Sequence, residues 1–407
     1  MHRTVRLAAC VGVVATMVVG CSVLPFGRCE VVITERVLPA PAGDRAGETL
    51  LVAGTKLNGI VVYEVRSPGH AARVAALAPE DLGGPVDRAW LEVEGSRPYV
   101  VSPTGRVLVF NPFTGRSSAL AELGVLDEPS VGSGGGLLFV ADRARLFQVS
   151  VPSGLPTVVT GLPGSATGPV VPLPGGGVAT LVRQGEGTAV ALVATGASAG
   201  ARTVPLPAED RWTSLSIGAR GELLAGGPDR VAVVDVASAS SLVTVPPHGA
   251  DRASASGGTR LVDVPGEHLV AVGDQVWSGG PAGQVDRLDG DGRQRASATT
   301  VSCGDDQVPV PVAGAGSVWA AVDRDNVVGR IDPETGWLVA RIAVPLPVSG
   351  EAAVYRVVGG DRTAWVLDEA GGGVHELDLE RNVARVVPLP GPPDAVVDAA
   401  MIAMPGG

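Results

Sequence analysis

The sequence predicts an all-β fold, a β-propeller of eight four-stranded blades, with seven blades as the alternative count. Three observations predict it. First, one short pattern returns along the chain: an apolar strand, a turn, a second apolar strand, a turn, and a third strand. The residue that follows the second strand of each three-strand copy, at the hairpin between the third and fourth strands of a full blade, can be tracked as Arg66, Asn111, Ser150, Ala194, Asp235, Asp289, Asp332 and Asp378, at intervals of 39 to 54 residues. A period of about 40–45 residues with several strands in each copy is the signature of a propeller. Second, 57 Gly and 33 Pro sit mainly between the apolar runs, as turn punctuation, and β-branched Val dominates the runs themselves. Third, no stretch after Gly20 carries a long apolar stripe at helical spacing, so little helix is expected.

The N-terminus comes first in the chain and has its own logic. Arg3 and Arg6 precede an uncharged run over 7–19, and Gly20-Cys21 follows. A basic start, an apolar run of 13 residues and a small residue before a cleavage point make a signal peptide over 1–20. The run is too short for a comfortable membrane span. Val18-Val19-Gly20-Cys21 resembles the lipobox of bacterial lipoproteins. The resemblance implies that Cys21 carries a diacylglycerol, that cleavage falls just before it, and that the mature chain is held at the outer face of the cytoplasmic membrane.

Residues 21–47 read as a tether rich in Pro and Gly, interrupted by one candidate strand over 30–37. Cys10 lies in the signal, so two cysteines remain besides Cys21, namely Cys29 and Cys303. An even pair in an exported chain predicts a disulfide. It closes a loop of more than 270 residues, which the chain-entropy estimate values at about 4–5 kcal/mol.

The propeller is expected over 48–407, in units 48–90, 91–129, 130–169, 170–214, 215–256, 257–313, 314–353 and 354–400. Within a unit the third and fourth strands form a hairpin. In Asp332-Pro333-Glu334-Thr335-Gly336 the Asp accepts from turn amides, Pro fixes φ and Gly supplies a positive φ, and Asn111-Pro112-Phe113-Thr114-Gly115 is the same device. The recurring Asp or Asn is therefore a turn residue. The segment 395–403 has no strand after it, and the first unit lacks an inner strand. Pairing the two closes the ring and removes both free edges.

The seventh unit resembles the repeats of YVTN-type and streptogramin-lyase-type propellers. Val318-Trp319, Asn326-Val327-Val328-Gly329-Arg330 and Ile331-Asp332-Pro333-Glu334-Thr335-Gly336 carry the likeness over about 30 residues, and the other units match in outline. Such repeats serve binding proteins, cell-surface proteins and a few enzymes, so the resemblance implies fold rather than activity.

Removal of 1–20 takes two Arg and no acid, leaving 29 cations against 42 acids and a net charge of −13. That balance argues against nucleic acid and against electrostatic attachment to anionic lipid. Aromatics are 3%, too few for base-stacking platforms. His70, His248, His268 and His375 fall in different units and lack partners at metal-ligand spacing. There is no S-x-x-K. Gly-rich runs at 134–136 and 175–177 precede strands, so they are turns rather than phosphate cradles. Asp289-Gly290-Asp291-Gly292 lacks the remaining ligands of a calcium loop. Trp90, Trp212, Trp277, Trp319, Trp337 and Trp365 keep no single register, which speaks against the docking motifs of a quinone-dependent propeller dehydrogenase. No metal, no cofactor and a monomer are expected.

One set of charges shares a topological position. Asp142-Arg143, Arg183, Asp229-Arg230, Asp323-Arg324-Asp325 and Asp368 follow the second strand of their units. Such turns lie on one face of a propeller, where they can form a mixed-charge binding ring or an ordinary solvated surface. The expected function is an extracytoplasmic binding or scaffolding module, with an envelope protein or a small polar ligand on that face. A propeller enzyme and a purely structural envelope protein are the alternatives.

Overall fold

Each repeat becomes one antiparallel four-stranded sheet. The computed structural model describes residues 31–34 and 38 and most of 49–403. It leaves undescribed 1–30, 35–37, 39–48, 56–58, 67–69, 84–89, 95–96, 152–155, 195–200, 237–258, 304–307, 323–325, 346–354, 361–362, 369–372, 391–395, 404–407 and a few one- or two-residue turn positions. Among the described residues there are 32 strands in eight sheets and one helical turn, Pro79–Leu82. In sheets 2 to 8 the strand order follows the chain. Sheet 1 is the exception. Its innermost strand is Val396–Ala403, paired antiparallel with Thr49–Thr55 from Thr49 opposite Ala403 to Ala53 opposite Ala399.

The eight sheets are blades of one ring. The first strand of each blade lies beside that of the next, and Tyr355–Gly359 of blade 8 lies beside Val396–Ala403 of blade 1. The core is divided accordingly into eight apolar seams, each shared by two consecutive blades. The strand Ser317–Val322 shows how a period of two builds them. Val318, Ala320 and Val322 enter the seam with blade 6, while Trp319 and Ala321 enter the seam with blade 8. Both faces are buried, which is why the middle strands read as continuous apolar runs instead of alternating ones.

Crowding around the axis explains part of the Gly content. A Cβ on Gly314 would lie 2.4 Å from the Gly359 Cα of the neighbouring inner strand. The outer edges are handled differently. Seven of the eight fourth strands carry an Arg, among them Arg73, Arg202 and Arg341, and five of the eight third-to-fourth pairings contain a register shift. Charge and bulges on an edge keep it from pairing with another chain.

The turn chemistry expected for the third-to-fourth hairpins is present. Asp332 Oδ1 accepts from the Glu334 amide at 3.0 Å and Asp332 Oδ2 from the Thr335 hydroxyl at 2.7 Å. Asp378 and Asn111 cap their turns in the same way. Two residues before these Asp positions, Arg287 and Arg330 reach across a seam. Arg287 donates to the carbonyls of Pro333 and Glu334 in the hairpin turn of blade 7. Arg330 is buried beneath Trp319 and donates to the Leu379 carbonyl at 2.7 Å and to Asn382 Oδ1 at 3.0 Å in the hairpin turn of blade 8.

Several sequence expectations shift. The fifth unit extends to Val262, because Thr259–Val262 is its fourth strand, and the sixth begins at His268. The long interval is therefore a connection within blade 5, and the blade count stays at eight. The fourth unit begins at Ser165. Residues 31–34 form no strand; the Thr34 amide instead donates to the Leu338 carbonyl at 2.9 Å. Trp277, Trp319 and Trp365 do recur, each on the second strand of its blade, at 12 or 13 residues before the tracked Asp.

Candidate functional site

Strand direction alternates within a blade, so each face of the ring has its own connections. Turns from second to third strand share one face with the links between blades; turns from first to second and from third to fourth lie on the other. We call them the mouth face and the base face. The charged positions singled out from sequence that fall on described residues all lie on the mouth face. Asp142 ends its strand with its carboxylate buried; it accepts from the Asp127 amide at 2.9 Å and pairs with Arg145. Arg143, held at φ 50°, pairs with Asp127. Those bonds fasten the turn to the link entering blade 3. Arg183 and Asp229 are exposed, and Arg230 Nε lies 3.6 Å from Asp210 Oδ2. Asp368 is buried near His375. Asp323, Arg324, Asp325, Cys21 and Cys29 lie outside the described residues. Cys303 is exposed, just after the last strand of blade 6.

A different set of residues makes a cavity on this face. Where the first strands of blades 4 to 7 begin, a pocket of about 470 Å³ is lined by Pro169, Arg211, Thr213, Ser214, Leu215, Glu267, His268, Leu269, Val310 and Pro311. Its wall is fixed by hydroxyl-to-carbonyl bonds between neighbouring blades. Ser214 Oγ donates to the Gly266 carbonyl at 2.5 Å and Thr213 Oγ1 to the Glu267 carbonyl at 3.3 Å. Ser278 donates to the Pro265 carbonyl beneath them. The charged side chains are not consumed by this framework. Among the described residues neither Arg211 nor Glu267 has an ion-pair partner. Burial pushes the His268 imidazole below its ordinary value, against the opposing pull of Glu267. The ring is therefore neutral at neutral pH and fit to accept a proton or a hydrogen bond.

Sequence spacing did not point to this set. Thr213 and Glu267 are 54 residues apart, and the polar pocket residues Arg211, Thr213, Ser214, Glu267 and His268 lie singly or in pairs at or just before the start of two inner strands. Among the described residues no group of three His, Cys, Asp or Glu comes together as a metal site would require.

His375 is a second perturbed imidazole, outside the pocket. It is buried in the third strand of blade 8 with Nδ1 lacking a hydrogen-bond partner, and burial lowers its pKa despite Asp368 nearby. A His with a depressed folded-state pKa binds its proton more readily when unfolded, so stability is lost as pH falls below its ordinary value of 6.5. The unfolding midpoint is expected to fall between about pH 7 and pH 5, and to fall less steeply in His375→Gln. Parallel curves for the two proteins would assign the acid sensitivity to other groups.

No family model matches the chain, and no curated protein matches it. Solved structures do. Dihydro-heme d1 dehydrogenase NirN in complex with DHE gives a TM-score of 0.58 at 13% identity, over 87% of this chain and 76% of that one. The computationally designed Ika8 protein gives 0.55 at 13% identity, over 86% and 98%. BamB from Moraxella catarrhalis gives 0.48 at 13% identity, over 84% and 94%. At such identity the first two speak for fold alone, and they agree with the architecture described above: the chain is an all-β propeller.

Proposed function

We propose that this chain is an exported, lipid-anchored protein whose propeller binds a small polar ligand in the mouth pocket. One observation carries the binding role. Arg211 and Glu267, of opposite charge, stand in one pocket without an ion-pair partner among the described residues, beside a neutral His268. Charges placed in a concave site and left unpaired offer ligand contacts that a solvated surface pair does not. The pocket adds apolar walls from Pro169, Leu215, Leu269 and Val310, so the ligand has both a polar and an apolar part.

The ligand is tested without knowing its identity. The chain is purified from its own envelope under mild conditions and weighed by native mass spectrometry, beside Arg211→Ala and Glu267→Gln. A non-covalent adduct on the wild-type chain, lost in both variants at unchanged melting temperature, is expected. An adduct retained in both variants would remove the pocket from the account.

The anchor rests on the run that ends at Cys21. Cys21→Ser is expected to leave unprocessed precursor or to release soluble chain; a variant that matures and partitions with detergent like wild type contradicts it. The disulfide between Cys29 and Cys303 rests on parity after export. Cys303 is disulfide-bonded, and with Cys21 acylated the sequence leaves Cys29 as its partner. Non-reducing peptide mapping tests that pairing.

A second reading, a propeller enzyme, draws on His268 and Glu267 as a proton-transfer pair in the same pocket. It requires that His268→Gln retain the adduct while any conversion of the ligand stops.

A further inference from the structure

We propose that the ligand of the mouth pocket is a zwitterion, an amino acid or short peptide whose carboxylate meets Arg211 and whose primary ammonium meets Glu267. The inference rests on the binding role given to that pocket and names the chemical class it takes. Three observations lead there.

The first is the balance of charge. The pocket holds one fixed cation and one fixed anion, Arg211 and Glu267, and neither has an ion-pair partner among the described residues. Thr213 Oγ1 donates to the Glu267 carbonyl at 3.3 Å. Two residues of chain span at most about 7 Å, so the Arg211 backbone starts close to Glu267. A ligand of one sign meets repulsion at one of the two: a phosphate at Glu267, a polyamine at Arg211. A ligand of both signs gains at both, and the Arg fork of donors matches a carboxylate. Such a ligand has no net charge, so the acidity of the chain, 42 acids against 31 cations, neither draws nor repels it.

The second is the direction of the hydrogen bonds. Ser214 and Thr213 each spend their one hydroxyl hydrogen on a carbonyl of the link entering blade 6, Gly266 at 2.5 Å and Glu267 at 3.3 Å. A hydroxyl so used has only lone pairs left to offer. The Glu267 carboxylate also accepts without donating, and the neutral His268 ring adds one further acceptor. This end of the pocket therefore calls for a group with several donors. A primary ammonium brings three, together with the charge that Glu267 calls for.

The third is the wall. No Phe, Tyr or Trp lines the pocket. A quaternary ammonium has no N–H and is held by aromatic cages, so a fully methylated amine finds no hold here. A nucleobase likewise finds no stacking face. Leu215, Leu269, Val310 and two prolines supply an aliphatic wall for an aliphatic side chain. The volume of about 470 Å³ lies in the lower half of the range for small-molecule sites, which fits an amino acid or a short peptide.

The test has two arms, both on the full chain. In the first, the adduct carried from the envelope is released with acid. One portion is reductively methylated with formaldehyde and cyanoborohydride, and another is esterified with methanol. Mass increments for an amine and for a carboxyl are both expected. An adduct that is lost in Arg211→Ala and Glu267→Gln, yet lacks either increment, overturns the zwitterion and leaves the pocket as the binding site. In the second arm, dialysed chain is offered a mixture of the twenty amino acids and then the small-peptide fraction of digested casein. The species retained is identified by mass and offered again as its N-acetyl, N-trimethyl and amide forms. Each change is expected to weaken binding about tenfold or more. Arg211→Ala should remove the difference between acid and amide, and Glu267→Gln should shrink the difference between free and acetylated amine. Undiminished binding of the blocked forms, or differences that survive both substitutions, overturns the proposal. A chain that carries no adduct and retains nothing from either mixture overturns the pocket reading and this class together.

Discussion

Deletion of 394–407 is expected to lower the melting temperature far more than any other excision of equal length from the ends of the chain. The segment supplies the innermost strand of blade 1, paired along the whole of Thr49–Thr55. Ile402 is fully buried in the seam between blades 1 and 2, among Ile60, Val62, Val100 and Phe110. Ala399 and Met401 pack on the opposite side, against the seam between blades 8 and 1. Removing the strand opens two seams at once. It also exposes the inner edge of Thr49–Thr55, an unpaired ladder of backbone donors and acceptors. Burial of each large side chain contributes about 1.5–3 kcal/mol, so the loss from Ile402 and its neighbours alone is a large share of a typical stability. Excision of 22–28 together with 39–45 removes none of these contacts among the described residues. Thermal unfolding of the two variants, followed by circular dichroism, decides the matter. Equal effects would contradict a ring closed by the C-terminal strand.

The second large effect is expected at Arg330. Its guanidinium is 2% exposed, lies 5.5 Å from the Trp319 ring, and donates to Ser317 Oγ at 3.0 Å as well as to Leu379 and Asn382 across the seam. Desolvation lowers its pKa, as burial of a cation must. The strength of the arrangement lies in the acceptors that would be stranded. Arg330→Ala leaves the Leu379 carbonyl, the Asn382 amide and the Ser317 hydroxyl to find new partners and leaves a void under Trp319. Each buried neutral group left without a partner costs about 1–3 kcal/mol. Arg287→Ala, at the equivalent place one blade earlier but less buried, is expected to cost less. Denaturant midpoints for the two variants test the order. A cost below about 1 kcal/mol for Arg330→Ala would mean that the seam between blades 7 and 8 does not depend on it.

Much of this architecture was legible in the sequence for a physical reason. A blade must bury both faces, so each copy repeats its apolar runs, and each hairpin needs an Asp or Asn, a Pro and a Gly at fixed offsets. Asp332 and Asp378 were readable as turn residues because their partners are two or three residues away. Arg330 was readable only as part of a resemblance, because its partners lie 49 and 52 residues on, in the next blade. The fifth blade was misdivided because its fourth strand, Thr259–Val262, is short and follows a long connection. The pocket was not legible. Arg211, Glu267 and His268 come from the links entering two blades and meet only because inner strands converge around an axis. The charged turns after the second strands were legible as a set, yet Asp142 and Arg143 spend their charge fastening one link in place.

The central claim is that ligand is held at the mouth pocket and nowhere else on the ring. Two exposed valines provide a matched pair. Val310 lines the pocket, and Val158 lies on the fourth strand of blade 3, at the rim. A photoreactive amino acid is placed at either position in the full chain, the intact envelope is irradiated, and the purified chain is weighed. A small-molecule adduct from position 310 and none from position 158 is the predicted result. Equal labelling at both positions, or labelling at 158 alone, would contradict it.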